Sequence, residues 1–227
     1  MTPRLRGLYA ITDHASGCAH ADAPAVADTP RWLKSIVAAI AGGAALIQYR
    51  DKSTDNARRE HDARNILAVC RAYGVPLIIN DDVALAATVN ADGVHLGRDD
   101  MALYEARRIL GSAAIIGVSC YNDLDLAVAA QQAGASYVAF GRFFASHTKP
   151  DAAPITMCAE SGHDGLDLIR QAKAQLSIPV VAIGGITPRN ATPLIDAGVD
   201  MLAVVHGVFG QTDPEQAARR YTQLFEH

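Results

Sequence analysis

Eight short apolar runs recur along the chain, each followed by a longer stretch with helical patterning, and nothing else in the sequence constrains the fold as strongly. The runs are Leu8–Thr12, Leu46–Tyr49, Leu77–Asn80, Gly93–His95, Ile115–Val118, Tyr137–Phe140, Val180–Ile183 and Met201–Val204. Strand-then-helix repetition marks a parallel sheet, because parallel strands need crossover connections. The stretch Asp55–Tyr73 sets Ile66, Leu67 and Cys70 on one helical face, and Leu124–Ala133 is rich in good helix formers. Gly43, Gly74, Gly134 and Gly198 precede strands and suit helix ends where the chain turns back. Eight units predict an α/β fold, a single (β/α)₈ TIM barrel spanning residues 1–227. A six-stranded Rossmann-type sheet would leave two units unplaced, and no GxGxxG follows the first run. Two segments break the spacing. Residues 14–29 and 141–164 are expected to be long loops, the first a surface excursion and the second a carrier of chemistry.

With 50% hydrophobic and 19% charged residues, the 227-residue chain has ample material for one core. A net charge of −4 argues against a broad basic face for nucleic acid or acidic lipid, so an anionic substrate must be held by local cations. Cys18, Cys70, Cys120 and Cys158 form no CxxC pair and read as reduced thiols. The start of the chain runs directly into the first strand, with no apolar signal region, and no apolar run is long enough to span a bilayer. A cytoplasmic protein is expected.

Barrels of this kind build their sites from the C-terminal ends of strands and the loops beyond. Reading only those positions yields Gln48-Tyr49-Arg50-Asp51-Lys52, Asn80-Asp81-Asp82, Gly97-Arg98-Asp99-Asp100, Ser119, Ser146-His147-Thr148-Lys149, Gly184-Gly185-Ile186-Thr187 and Val205-His206-Gly207. Gln48, Arg50 and Lys52 alternate and so share one face of an extended segment. Arg50, Lys52 and Lys149 are cations suited to a polyphosphate. Asp81 and Asp100, from neighbouring strand ends, are hard oxygen ligands suited to Mg²⁺, which takes one or two carboxylates plus phosphate oxygens. Gly184, Gly185, Val205 and His206 follow strands seven and eight, where barrels commonly hold a phosphate monoester. Each group has a plainer use taken alone: an Arg-Asp-Lys turn can be solvated, Asp81 or Asp82 can cap the next helix, and Gly-Gly can mark a tight turn. Their succession over six strand ends favours a site for two phosphorylated ligands and a metal.

The elements Leu8-Tyr9-Ala10-Ile11-Thr12-Asp13, Gln48 to Lys52, Ile79-Asn80-Asp81, Ala91 to Gly97, Gly117-Val118-Ser119, Thr148-Lys149-Pro150 and Ala182 to Thr187 resemble, in order, the motifs of the thiamine phosphate synthase family. The resemblance implies an enzyme that joins an aminopyrimidine methyl diphosphate to a thiazole phosphate and releases pyrophosphate. It implies that Gln48, Arg50, Lys52, Asn80, Ser119 and Lys149 bind the pyrimidine diphosphate, with Lys149, Arg50, Lys52 and Ser119 carrying the catalysis. It places Mg²⁺ on Asp81 and Asp100, and the thiazole phosphate on Ser146, Thr148, Gly185, Val205 and His206. The chain departs from the pattern at Arg142, where Pro is common after Gly, at Ser146, where Thr is common, and at His206, where Ser is common. A thiazole tautomerase on the same barrel would need no diphosphate clamp, which the retained cations and carboxylates argue against. A non-catalytic sensor of thiamine precursors would bind without turnover. The expected partners are small phosphorylated molecules, and the resemblance weakly favours a homodimer.

Overall fold

The computed structural model describes residues 5–12, 30–145 and 165–226. Within them, eight parallel strands close into a barrel in sequential order, β1 Gly7–Ile11, β2 Ala44–Tyr49, β3 Leu77–Asn80, β4 Gly93–Leu96, β5 Ile115–Tyr121, β6 Tyr137–Gly141, β7 Val180–Ile183 and β8 Met201–Val204, with β8 pairing back to β1. The helices wrapping them are α1 Arg31–Ala41, α2 Asn56–Tyr73, α3 Val83–Val89, α4 Leu103–Leu110, α5 Leu124–Gln132, α6 Gly165–Gln175, α7 Thr192–Asp196, the short α8 His206–Phe209 and α9 Pro214–Thr222. The (β/α)₈ barrel expected from the eightfold alternation is the fold.

Strand limits differ from the sequence reading chiefly at β5, expected to stop at Val118 and observed to run to Tyr121. An irregularity between Ser119 and Tyr121 lets pairing with β6 continue through a polar residue that reads as loop. Gly43, Gly74, Gly134 and Gly198 all take positive φ, as their place at helix ends predicts. The loop expected over residues 14–29 lies outside the described residues, and of the one over 141–164 only the first five residues are described.

Alternation along each strand splits the core in two. Outward residues such as Leu8, Ile47, Ile79 and Val138 pack under the helices. Inward residues, among them Tyr9, Ile11, Leu46, Ile78, Tyr137, Val181 and Met201, fill the barrel. The filling has polar members at its C-terminal end, and there the site begins. No described helix is long and apolar enough to cross a membrane.

Candidate active site

The segment after β2 is held by its odd-numbered neighbours so that its even-numbered residues face the barrel mouth. Gln48 points inward and is 2% exposed. Asp51 points the other way: its carboxylate accepts from Ser53 N at 2.8 Å, from Arg58 Nη2 at 2.9 Å and from the Tyr49 hydroxyl at 3.3 Å. Burial and the Asp51 charge push the Tyr49 phenol far up, so it remains a donor. Buried Thr12 closes the other side, its N–H donating to Gln48 O and its hydroxyl accepting from Arg50 N, both at 2.9 Å. The backbone that carries Arg50 and Lys52 is therefore pinned from two directions, as a site needs.

After β3 the two adjacent aspartates divide their labour. Asp82 is the N-cap of α3, accepting from Leu85 N at 2.8 Å, and also receives Arg59 Nη2 at 2.8 Å. Asp81 takes a left-handed conformation, φ 62°, with its N–H on His95 O at 2.8 Å. That turn frees its carboxylate from capping and brings it to the Lys52 ammonium and to Asp100. Such a φ at a non-glycine residue is uncommon and concentrates at functional sites. Asp100 reaches it from the turn after β4, its Oδ2 also accepting from Gly97 N at 2.6 Å. The turn is braced by Tyr121, whose hydroxyl accepts from Arg98 N at 3.3 Å while the Arg98 guanidinium stacks over its ring at 4.6 Å.

The electrostatics separate the two carboxyls. Burial alone would raise Asp81, but hydrogen bonds from Lys52 and Asp100 outweigh it and hold it below the usual range. Burial raises Asp100, and although Gly97 N opposes this, the hydrogen bond and charge of Asp81 keep it up. Two carboxylates this close share a proton or a cation. Among the described residues no three His, Cys, Asp or Glu side chains cluster as a metal cage, so a cation here would take its remaining ligands from substrate and water, as Mg²⁺ does.

Across the mouth, the loop after β7 is locked against the end of β6. Phe143 N donates to Ile183 O at 3.1 Å and Phe144 N to Gly184 O at 3.0 Å. A Cβ on Gly185, φ 62°, would stand 2.3 Å from Ala145 O, so only glycine fits this turn. Asn190 ties the loop to itself, donating to Gly185 O at 3.1 Å and accepting from Thr187 N at 2.7 Å. Tyr221 of α9 donates to Ile186 O at 3.0 Å from beneath. Val205 and His206 open α8 beside this loop, where the first N–H groups of a helix lack intrahelical partners. The exposed His206 imidazole lies back over Gly210, where a Cβ would come within 2.1 Å of its Nδ1.

The structure thus gathers Gln48, Arg50, Lys52, Asn80, Asp81, Asp100, Ser119, Gly185, Val205 and His206 at one end of the barrel; Ser146, Thr148 and Lys149 lie outside the described residues. Sequence reading missed His95, Tyr9 and Tyr137. All three face inward from apolar runs, and Gln48 Nε2, Tyr9 Oη, Tyr137 Oη, His95 and Ser119 Oγ form one hydrogen-bonded chain across the barrel. A polar residue at an inward position of an otherwise apolar strand was the available signal.

A parallel eight-stranded barrel with its charged and hydrogen-bonding groups collected at the C-terminal strand ends has the architecture of the barrel enzymes. The family profile described as thiamine monophosphate synthase matches residues 8–208. The chain is 51% identical to the thiamine-phosphate synthase of Thiobacillus denitrificans over 219 residues, covering 96% of this chain and 94% of that one. It is 50% identical to that of Nitrosococcus oceani over 227 residues, covering 99% and 95%. The solved thiamine phosphate pyrophosphorylase from Pyrococcus furiosus superposes with a TM-score of 0.81 at 32% identity, covering 98% and 96%. The chain belongs to the thiamine monophosphate synthase family.

Proposed function

We propose that this chain, a transferase of thiamine biosynthesis, condenses an aminopyrimidine methyl diphosphate with a thiazole phosphate to give thiamine phosphate and pyrophosphate. The observation that carries the reading is the meeting of Lys52, Asp81 and Asp100 beside the inward-facing Gln48, Asn80 and Ser119, opposite the Gly184-Gly185 loop. One side of the mouth suits a metal-bound diphosphate, the floor suits a polar heterocycle, and the far side suits a phosphate monoester.

The thiazole nitrogen forms a bond to the pyrimidine methylene carbon as that carbon's bond to the diphosphate oxygen breaks. The nitrogen carries no proton, so its attack needs no base, and the protein's task is alignment and charge stabilisation. Arg50, Lys52 and Lys149 would hold the diphosphate and oppose the charge that grows on it. Asp81 and Asp100 would hold Mg²⁺, whose contribution when bound is to neutralise the leaving pyrophosphate. Gln48, Asn80 and Ser119 would orient the pyrimidine. Ser146 and Thr148, with the backbone N–H groups of Gly185, Val205 and His206, would hold the thiazole phosphate.

Incubation with both substrates and Mg²⁺, following thiamine phosphate and pyrophosphate together, tests the reading. Equimolar appearance of the two products is expected. Binding without turnover, or interconversion of thiazole tautomers alone, would overturn it.

A further inference from the structure

The hydrogen bonds inside the barrel can all run in one direction starting from Gln48, and following that direction assigns a role to three residues that do not reach the mouth. Gln48 Nε2 donates to Tyr9 Oη at 2.5 Å. Tyr9 Oη and Tyr137 Oη lie 2.7 Å apart and either hydroxyl can donate; with Tyr9 giving its proton to Tyr137, the Tyr137 proton is left for the next member of the chain. That next member is His95 Nδ1, 3.0 Å from Tyr137 Oη, which accepts the Tyr137 proton in one tautomer of the ring and donates in the other. An imidazole that accepts at Nδ1 carries its proton on Nε2, and His95 Nε2 lies 2.9 Å from Ser119 Oγ. In that tautomer Ser119 accepts from the histidine, and its hydroxyl proton is left for another acceptor.

We propose that Gln48, Tyr9, Tyr137 and His95 form a one-way hydrogen-bond relay that fixes the Nε2–H tautomer of His95 and so orients Ser119 as a hydrogen-bond donor to the pyrimidine substrate. Tyr9, Tyr137 and His95 are positioning residues acting through Ser119, and the relay's function rests on the reading of Ser119 as a substrate contact.

The surroundings hold the relay to one geometry. Tyr9 is 1% exposed and Tyr137 fully buried, and burial keeps both phenols protonated throughout the working pH range. Their rings meet edge to face at 5.8 Å, and His95 stacks on Tyr137 at 5.6 Å with the planes 20° apart. Gly117, the β5 partner of both His95 and Tyr137, makes the room: a Cβ there would lie 2.0 Å from Tyr137 Cζ. Five strands contribute, so the chain crosses the barrel instead of following one strand. Such a network, in a water-poor interior, polarises along its length and tolerates no unpaired member.

Histidine-selective ¹⁵N labelling with long-range ¹H–¹⁵N correlation tests the assignment, the His95 signals being identified by their loss in His95→Gln. The expected result is a pyridine-like Nδ1 and a pyrrole-like Nε2 in the unmodified protein, with Tyr137→Phe converting the ring to a mixture of tautomers. A protonated Nδ1 would mean that the relay runs the other way, with the Gln48 amide turned round, and would overturn the proposal. So would an unchanged ring in Tyr137→Phe. In turnover, Tyr137→Phe should lower kcat by about 5- to 10-fold, the scale of one lost hydrogen bond, and should have no further effect in a Ser119→Ala background. Full additivity of the two changes would reduce Tyr137 to a structural role. The expected tautomer together with full kcat in Ser119→Ala would remove Ser119 from the substrate. An expected tautomer in a protein that makes no thiamine phosphate would instead sink the synthase reading while leaving the relay's geometry standing.

Discussion

The Asp81 carboxylate, turned out of the helix cap by a left-handed backbone, meets the Asp100 carboxylate from the next strand end, and the Lys52 ammonium rests on it. Two acids do not gather beside one amine to stabilise a fold, since their mutual repulsion works against it. With inorganic pyrophosphate as co-ligand, Mg²⁺ at about 100 times its Kd should stabilise the unmodified protein by about 2.7 kcal/mol. At roughly 2 to 4 °C per kcal/mol for a domain of this size, that is a Tm rise of several degrees. Asp81→Asn and Asp100→Asn should lose most of this rise and need more Mg²⁺ for half-maximal activity, with folding intact. Full activity of either variant in excess chelator would remove the carboxylates from a metal role.

Lys149 is expected to oppose charge on the departing diphosphate, an interaction stronger in the transition state than in the ground state. Its loss should therefore appear in kcat. Lys149→Ala should lower kcat by on the order of 10²-fold or more, the scale of other lost charge-stabilising donors. Lys149→Arg should recover only part of this, since a planar fork does not reproduce a compact ammonium. Near-normal kcat for the alanine variant at saturating substrates would leave Lys149 without a mechanistic role.

At His206 the imidazole packs over Gly210, so the proposed thiazole phosphate contact is expected to be made by the backbone N–H. His206→Ser should stay active, with KM for that substrate changed by less than about 10-fold, the most that one ordinary hydrogen bond supplies. A larger rise in steady-state titrations would put the imidazole itself on the phosphate.

Gly117→Ala tests the packing beneath the site. The added methyl would strike a Tyr137 ring whose hydroxyl is bonded to both Tyr9 and His95. Overpacking of this kind costs about 1–3 kcal/mol. Chemical denaturation should show that loss as a lower midpoint, and an unchanged midpoint would mean that the ring moves freely.

Burial, aided by Asp92 and Asp123 respectively, pushes the Cys70 and Cys120 thiols up to about 12 from an ordinary value of 9.0. Folding thus favours the protonated thiols. That stability is fully present below about pH 9 and drains away as pH rises toward 12, because the unfolded chain releases these protons first. Replacing both cysteines with alanine should flatten the alkaline decline in the urea midpoint. A decline that begins about one pH unit later should persist from Tyr9, Tyr49, Tyr137 and Tyr221, whose phenols burial pushes up from an ordinary value of 10.0. Superimposable pH profiles would refute the thiol contribution.

Strand identity and the polar groups of the candidate site were legible in the sequence because both are local properties. A run such as Val180–Ile183 is apolar enough to be a buried parallel strand whatever surrounds it, and eight such runs leave few folds to choose from. Gln48, Arg50 and Lys52 share a face by the two-residue period of extended chain. Which residues meet was decided by barrel closure. Asp81 and Asp82 are equivalent by composition, and only the backbone turn after β3 assigns capping to one and the mouth to the other. Tyr9 and Tyr137, 128 residues apart, read as ordinary core aromatics; they become hydrogen-bonding partners because β1 and β6 face each other across the same interior. His95 and Ser119 meet because β4 and β5 pair in one register, and a slip of either strand by one residue would send its side chain to the helix layer and part the two. Polarity and periodicity are written residue by residue, whereas register and closure arise from long-range pairing of the whole chain, so contacts across the barrel had to wait for the tertiary structure.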